Sequence, residues 1–404
     1  MSKKNPKILI IGTGSLLNYG CEAIVRGTYE ILRATLPDCS IYLASDDLEY
    51  DKNILPNDIE SIAYKRRFSP YRIFKGILRR VFHIGNGSAV RMNTSIGKHY
   101  DIVLSAGGDN YCEAPDGTLY HLLIDLMAVG KKAHENNNKY ILWGASVGPF
   151  SAQNQENVLK NLALADAICT REQLSYDYLT QFPETKSKTH LVADPAFCMR
   201  PIPYKDFKRE EGKTYIGLNF SILAIGHSPI NDISDFIRTF AEECDSYLTT
   251  HPKTVFVLIP HVQLSGAQDD YTALQPFMKH IQHKEQCILI PKGIGAAKSK
   301  GLVSQLDLLI AARMHCCVAG ISTATPTLFI TYSNKGRGMA EYAYEHHLYE
   351  IEVPDMITNK MTDTLNMMLK KRDEIKAHLE QQQERFRREA MAAGKHLQWI
   401  VCTS

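Results

Sequence analysis

Apolar residues in this chain cluster in short runs, and the runs alternate with longer stretches in which apolar positions recur every three or four residues. The runs at 8–11, 40–44, 101–105, 139–143, 167–170 and 191–193 predict strands, and the periodic stretches at 23–35, 119–136 and 173–181 predict helices. A polar, proline-bearing segment from Arg200 to Lys213 reads as a linker. The alternation then restarts, with strands at 215–220, 254–259, 286–290, 308–311 and 327–330 and helices at 233–249, 297–305 and 315–321. Short strands that are apolar throughout are buried on both faces, as in a parallel sheet with helices on each side.

The pattern therefore predicts an α/β protein of two doubly wound, Rossmann-like domains with a cleft between them. The first spans 1–205 and the second 214–355, and a charged helical tail covers 356–404. A chain of 404 residues exceeds what one core usually carries, which agrees with two domains. The segment 51–99 interrupts the first domain. Within it Lys65, Arg66, Arg67, Arg72, Lys75, Arg79 and Arg80 occur with no acid among them, while Ile73, Phe74, Ile77, Leu78, Val81 and Phe82 fall at helical spacing. A basic amphipathic helix over 65–82 fits an anionic membrane surface, and it fits equally a helix packed on its own domain.

Composition narrows the function classes. The chain is 44% hydrophobic and 22% charged, as in soluble globular proteins, and its net charge of +2 argues against a nucleic-acid footprint. The ten cysteines include no C-x-x-C pair, and Cys316 and Cys317 are neighbours, so reduced thiols are expected. The first apolar run is too short for a secretory core, and no segment reaches membrane-spanning length; a cytoplasmic protein is expected. No ligand cluster resembles a zinc or calcium site, so no metal is expected.

Candidate chemistry sits where predicted strands end. Leu308–Ala311 runs into Ala312-Arg313-Met314-His315, which puts a cation and a titratable imidazole at a strand's carboxyl end, where open α/β sheets bind ligands. Arg313 can clamp a phosphate or carboxylate, and His315 can move a proton near neutral pH. His261 follows another strand of the second domain and is either a ligand or a structural residue. Ser333, Lys335 and Arg337 follow the last strand and add cations and flexible backbone. In the first domain Gly107 and Gly108 let backbone approach a ligand, and Asp109 is a general base, a hydroxyl anchor or a turn cap. Arg171 is an anion clamp or a structural ion pair, and Asp194-Pro195 reads as a domain-edge turn. The loop Gly12-Thr13-Gly14 begins like a dinucleotide fingerprint, but Leu17 stands where the third glycine belongs, so it is either a ligand loop or a plain strand-to-helix turn.

In this order the motifs resemble the polysaccharide pyruvyl transferase family. They are Asn18-x-Gly20-x-Glu22-Ala23, Gly107-Gly108, Gly144-x-Ser146-x-Gly148-Pro149, Thr170-Arg171-Glu172, Asp194-Pro195, Arg313-Met314-His315, the Pro326 turn and Ser333-x-Lys335. Asp109 stands where family members often carry a third glycine, and Cys21 replaces the usual acid. The resemblance implies a fold like the glycosyltransferase B type, with the acceptor on the first domain and the donor on the second. It implies transfer of pyruvate from phosphoenolpyruvate, a co-substrate with no other cofactor, to two hydroxyls of a sugar, giving a ketal and phosphate. Arg313, His315 and Asp109 are then the catalytic candidates. Arg171, Asn18, Gly107, Gly108, His261, Ser333, Lys335 and Arg337 are the binding candidates. The saccharide acceptor, lipid-linked or free, would belong to exopolysaccharide synthesis at the inner face of the cell membrane. Two other readings stay open: a nucleotide-sugar glycosyltransferase, with Glu341 a candidate for the ribose, and a non-catalytic saccharide-binding protein.

Overall fold

The computed structural model describes residues 5–63, 92–114 and 116–403. The basic stretch 65–82 lies outside the described residues. Two compact units are present, one of Met1–Ser15, Tyr29–Asp194 and Ala390–Ser404, the other of Leu16–Thr28 and Pro195–Glu389.

The first unit is built on a seven-stranded parallel sheet in the order β3-β2-β1-β4-β5-β6-β7. Its strands are β1 (Lys7–Ile11), β2 (Ser40–Ser45), β3 (Ile59–Ala63), β4 (Ile102–Ser105), β5 (Lys139–Ala145), β6 (Ala167–Thr170) and β7 (Thr189–Leu191). Strand order reverses between β1 and β4, which pair in register from Ile8 on Ile102 to Ile11 on Ser105. Leu9, Val103, Leu142 and Ile168 are fully covered by helices such as His121–His134. A hydroxyl chain crosses this core: Tyr111 donates to Ser105 Oγ at 2.7 Å, and Tyr140, 2.7 Å from the Tyr111 hydroxyl, donates to the Leu126 carbonyl.

The second unit repeats the plan with six parallel strands in the order β10-β9-β8-β11-β12-β13. These are β8 (Thr214–Asn219), β9 (Thr254–Leu258), β10 (Cys287–Leu289), β11 (Leu308–Ala311), β12 (Thr327–Thr331) and β13 (Glu350–Glu352). Here the reversal falls between β8 and β11, with Ala311 paired to Asn219 at their carboxyl ends. The expected class, two doubly wound parallel-sheet domains, is what the structure contains. The edge strands β3 and β13 were not expected. Each has one neighbour among the described strands, and the half-polar sequences of Ile59–Ala63 and Glu350–Glu352 carry little of the apolar signal of a central strand.

The units divide the chain differently from the expected 1–205, 214–355 and 356–404, for reasons of packing. Residues 16–28 join the second unit because their backbone pairs there: Gln263 N donates to Leu17 O, and Tyr19 N donates to His261 O. The boundary falls at Asp194-Pro195 rather than in the polar stretch after Arg200. Phe197 packs on Tyr342 and Phe386, and Ile202 N donates to Ala297 O, so residues 195–205 are bound into the second unit. The tail forms no unit of its own. Up to Glu389 it covers the second unit, where Arg372 pairs with Asp307 and Gln383 donates to Ile321 O. From Ala390 it belongs to the first, with Gly394 against Ile31 and Thr35 and His396 stacked on His190.

The helix Tyr19–Thr35 admits the Pro195 turn only because residue 27 lacks a side chain. A Cβ on Gly27 would stand 1.8 Å from the Pro195 carbonyl oxygen. Backbone must shift to accommodate it, so Gly27→Ala should cost about 1–3 kcal/mol. Gly226→Ala, where nothing lies within 4 Å of the new methyl, should leave the thermal transition in place. Equal melting of the two variants would show that the contact does not constrain the fold.

Candidate functional site

The carboxyl edge of the second sheet is organised by one side chain. Asp270, fully buried, accepts at Oδ2 from the backbone N–H of His261 at 2.8 Å and of Val262 at 3.1 Å, and from Asn219 Nδ2 at 3.2 Å. Its Oδ1 accepts from Arg313 Nε at 3.0 Å and Nη2 at 2.8 Å. Asn219 ends β8 and also accepts the Arg313 backbone N–H through Oδ1 at 3.0 Å. The ends of β8, β9 and β11 are thus tied to one carboxylate. Arg313 gives a further bond from Nη2 to the Gln268 carbonyl, and its Nη1 makes no hydrogen bond among the described residues.

His315 lies in the first turn of the helix Met314–Ile321, directly after Arg313 at its N-cap. The residues leading into the helix Tyr19–Thr35 pack onto it. Asn18 forms an antiparallel bridge with Val262, and Asn18 Oδ1 accepts the Gly20 N–H at 3.0 Å. Gly20 is there because a Cβ would stand 2.5 Å from His315 Nδ1. Tyr19 accepts at its hydroxyl from Gln263 Nε2 at 2.7 Å and from the Gly295 N–H at 3.0 Å, and burial raises its pKa to about 12. Glu22, also fully buried, accepts from Arg26 at 2.6 Å and from the Ala296 N–H at 2.6 Å, at the start of the helix Ala296–Val303. Burial raises its pKa against the pull of Arg26.

His261 is the odd member of the cluster. It is 3% exposed, its ring meets Tyr19 edge-on, and neither ring nitrogen has a hydrogen-bond partner among the described residues. Burial drives its pKa well below the ordinary 6.5, and the nearby charges of His315 and Arg313 push the same way. The ring is therefore a neutral imidazole with unused bonding capacity, which a buried polar group rarely keeps without a ligand.

On the neighbouring strand end, residues 333–338 form not a flexible loop but the cap and opening turns of the helix Asn334–Tyr344. Ser333 accepts the Gly336 N–H as its N-cap. Lys335 is in the first turn, and Arg337 pairs with Glu352. Glu341 lies further along this helix, 3.9 Å from His347 Nε2.

The first-domain candidates form a separate group in the first unit. Arg171, at the end of β6, donates from Nε to Ser146 Oγ at 3.0 Å, from Nη1 to Asp194 at 2.8 Å and from Nη2 to Asp109 at 2.9 Å. Burial opposes its charge, but Asp194 and Asp109 outweigh that and raise its pKa. Gly107 and Gly108 make room for side chains: a Cβ would meet Asn110 at the first and the Arg171 guanidinium, 2.7 Å away, at the second. Asp109 remains 59% exposed at its side chain.

Asp270, Asn219, Tyr19 and Gln263 are not singled out by the sequence, and Glu22 enters only as part of the Asn18-x-Gly20-x-Glu22 motif, without a role. Asn219 carries a usable signal, a polar amide closing an apolar strand beside the switch point. Asp270 carries none, because an acid in the polar run Gln268-Asp269-Asp270 looks like any helix start.

A model of the polysaccharide pyruvyl transferase family matches residues 18–334. No curated protein matches the chain significantly in sequence. Among solved structures, Anabaena Alr3699/HepE in complex with UDP-glucose is 11% identical, with a TM-score of 0.59 over 99% of this chain and 100% of that one. Staphylococcus aureus MnaA with UDP is 11% identical, with a TM-score of 0.57 over 93% and 90%. The Neisseria meningitidis UDP-GlcNAc 2-epimerase bound to UDP-GlcNAc is 12% identical, with a TM-score of 0.55 over 92% and 94%. At these identities the likeness concerns the fold.

The neutral His261 makes a pH prediction. The unfolded chain protonates this residue below about pH 6.5 and the folded chain does not. Stability is therefore full above that pH and falls as pH drops, by up to about 1.4 kcal/mol per unit for one proton. His261→Phe, which strands no partner, should flatten the decline between pH 6.5 and 5 in denaturant titrations. An unchanged slope would mean that His261 is already protonated in the folded state.

Proposed function

The chain belongs to the polysaccharide pyruvyl transferase family, and on that premise we propose that it transfers the enolpyruvyl carbons of phosphoenolpyruvate to two hydroxyls of a sugar, forming a pyruvate ketal and releasing phosphate. The observation that carries this reading is Arg313 and His315 side by side at the switch point of the second sheet. Arg313 is fixed through Nε and Nη2, and its Nη1 is left for an anion. Phosphoenolpyruvate brings two anionic groups and a carbon–carbon double bond, so it needs a cationic clamp and a proton donor.

The steps balance as an addition followed by a substitution. His315 gives a proton to the methylene carbon, which becomes the methyl group, and positive charge develops on the adjacent carbon. A sugar hydroxyl bonds to that carbon and gives its proton to a base. His261, whose ring nitrogens have no hydrogen-bond partner among the described residues, takes that proton, and because burial keeps its pKa well below 6.5 it holds the proton only transiently. The second hydroxyl then displaces phosphate, which leaves with that hydroxyl's proton. Arg313 stabilises the donor's charge throughout, with Ser333 and Lys335 on the adjoining strand end as further phosphate contacts. In the first unit Asp109, which accepts from Arg171 and is 59% exposed at its side chain, receives a sugar hydroxyl. The reaction uses no cofactor beyond the co-substrate.

Calorimetric titration tests the donor. Phosphoenolpyruvate should bind the wild-type chain, and Arg313→Lys, which keeps a cation opposite Asp270 but loses the planar fork, should weaken binding roughly 10–100-fold. His315→Ala should keep binding and lose about 10²–10⁴ in turnover. Binding of UDP but not of phosphoenolpyruvate would replace this reading with a nucleotide-sugar transferase, and near-normal turnover of His315→Ala would remove the residue from proton delivery.

The acceptor is a saccharide of an exopolysaccharide precursor carried on a lipid, and the basic stretch 65–82 brings the enzyme to the anionic membrane face that holds it. Among the described residues no helix is long and apolar enough to cross a membrane. Flotation with vesicles containing anionic lipid should carry the wild-type chain upward and leave behind a variant with Arg72, Lys75, Arg79 and Arg80 changed to Gln. Equal flotation of both chains would overturn the membrane role.

A further inference from the structure

The second unit also contains a cavity of about 210 Å³ that the chemistry above does not use, with Cys198, Arg200, Lys300, Ser322, Gln383, Arg387 and one acid, Glu384, in its wall. Engineered cavities of about 150 Å³ already admit benzene, so this one has room for a small organic molecule. Lys300, in the helix Ala296–Val303, is 2% exposed, which is unusual for a lysine. Among the described residues no carboxylate pairs with it, and its single hydrogen bond goes from Nζ to the Met199 carbonyl at 2.7 Å.

An ammonium has three donors and no lone pair, so one acceptor would strand two N–H groups and a buried charge. A neutral amine spends one N–H on Met199 and keeps a lone pair. Burial, assisted by the positive charge of Arg387, lowers the pKa of Lys300 to about 7 from the ordinary 10.5, so a large share of the amine is nucleophilic at neutral pH. Fastening the helix does not call for this bond. Ile202 N already donates to Ala297 O at 2.9 Å, and Gly301 packs directly on the Ile202 carbonyl.

The cavity wall restricts what could enter. Gln383 Nε2 is spent on the carbonyls of Ile321 and Leu379, and the Ser322 hydroxyl on that of Val318. Arg387 forms no ion pair among the described residues and lies close enough to depress the Lys300 pKa. A nucleophilic amine facing an uncommitted guanidinium suits a compound with a carbonyl at one end and a carboxylate at the other.

We propose that this cavity is a second ligand site in which Lys300 condenses reversibly with a small 2-oxo acid while Arg387 holds the carboxylate. The Nζ lone pair bonds to the carbonyl carbon. Both amine hydrogens leave with the carbonyl oxygen as water, and an imine remains. No oxidant or further reactant is required, and hydrolysis returns the amine.

Trapping tests the proposal on the unmodified full-length chain. Glyoxylate with cyanoborohydride at pH 7 should reduce the imine to a stable secondary amine, and peptide mapping should find the adduct on Lys300 at least about tenfold above any surface lysine. Propanal, which lacks the carboxylate, should label Lys300 less. Arg387→Gln should remove the difference between the two reagents, and Lys300→Met should leave that peptide unmodified. Adducts spread evenly over surface lysines, or absent from Lys300, would overturn the proposal without bearing on the donor site at Arg313.

Discussion

A carboxylate with no exposure to water is stable only if protein groups replace its hydration, and the second unit is arranged around meeting that demand for Asp270. Five hydrogen bonds converge on its two oxygens, from Asn219, the backbone of His261 and Val262, and two nitrogens of Arg313. These partners come from three strand ends. Satisfying the charge therefore also fixes where β8, β9 and β11 release the chain, and so where Arg313, His315 and His261 stand. A buried ion pair of this kind is weak evidence for added stability, because desolvation offsets much of the attraction. Its clearer effect is geometric: Arg313 cannot rotate without stranding a buried charge.

The same economy explains why residues 16–28 fold with the second unit although they follow the first strand of the first. The amides that open the helix Ala296–Val303 need acceptors, and Tyr19 and Glu22 supply them. Glu22 at that terminus is also favoured by the helix dipole. Gly20 is drawn along between them, and its missing side chain is what lets the His315 ring lie against the helix. The Asn18-x-Gly20-x-Glu22 motif thus shapes the surroundings of His315 through backbone and buried contacts.

What could be read from the sequence follows from how each signal is encoded. Central strands such as β1, β4 and β11 are buried on both faces, so their apolar runs announce them, and Arg313 and His315 were found because they interrupt such a run. Edge strands β3 and β13 lack that signal. The unit boundaries depend on tertiary hydrogen bonds at Leu17, Tyr19 and Ile202, which leave no mark on composition. Ser333 and Gly336 looked like loop residues because Ser and Gly favour loops, yet the serine is a helix cap, a position that the same preference serves. Asp270 was invisible for a related reason. Its importance lies in what converges on it from 219, 261, 262 and 313, not in its immediate neighbours in sequence.

Arg171 and Arg313 show how far position alone carries a functional reading. Both stand at the ends of central parallel strands, and both are held by buried carboxylates. A guanidinium offers five N–H donors on three nitrogens, so the question is how many the protein has already used. Arg171 has a protein acceptor on every nitrogen: Ser146, Asp194 and Asp109. Three of its five N–H are spent, and its side chain is only 3% exposed, so a ligand anion has little access to the two that remain, one on each terminal nitrogen. Arg313 uses Nε and Nη2 and keeps Nη1. An anion can add to it without displacing anything, and Asp270 holds the fork in place for the arrival. Of two residues that look alike in sequence and spend the same number of donors, Arg313 keeps both N–H of one nitrogen together, while Arg171 spends a donor from every nitrogen on the protein.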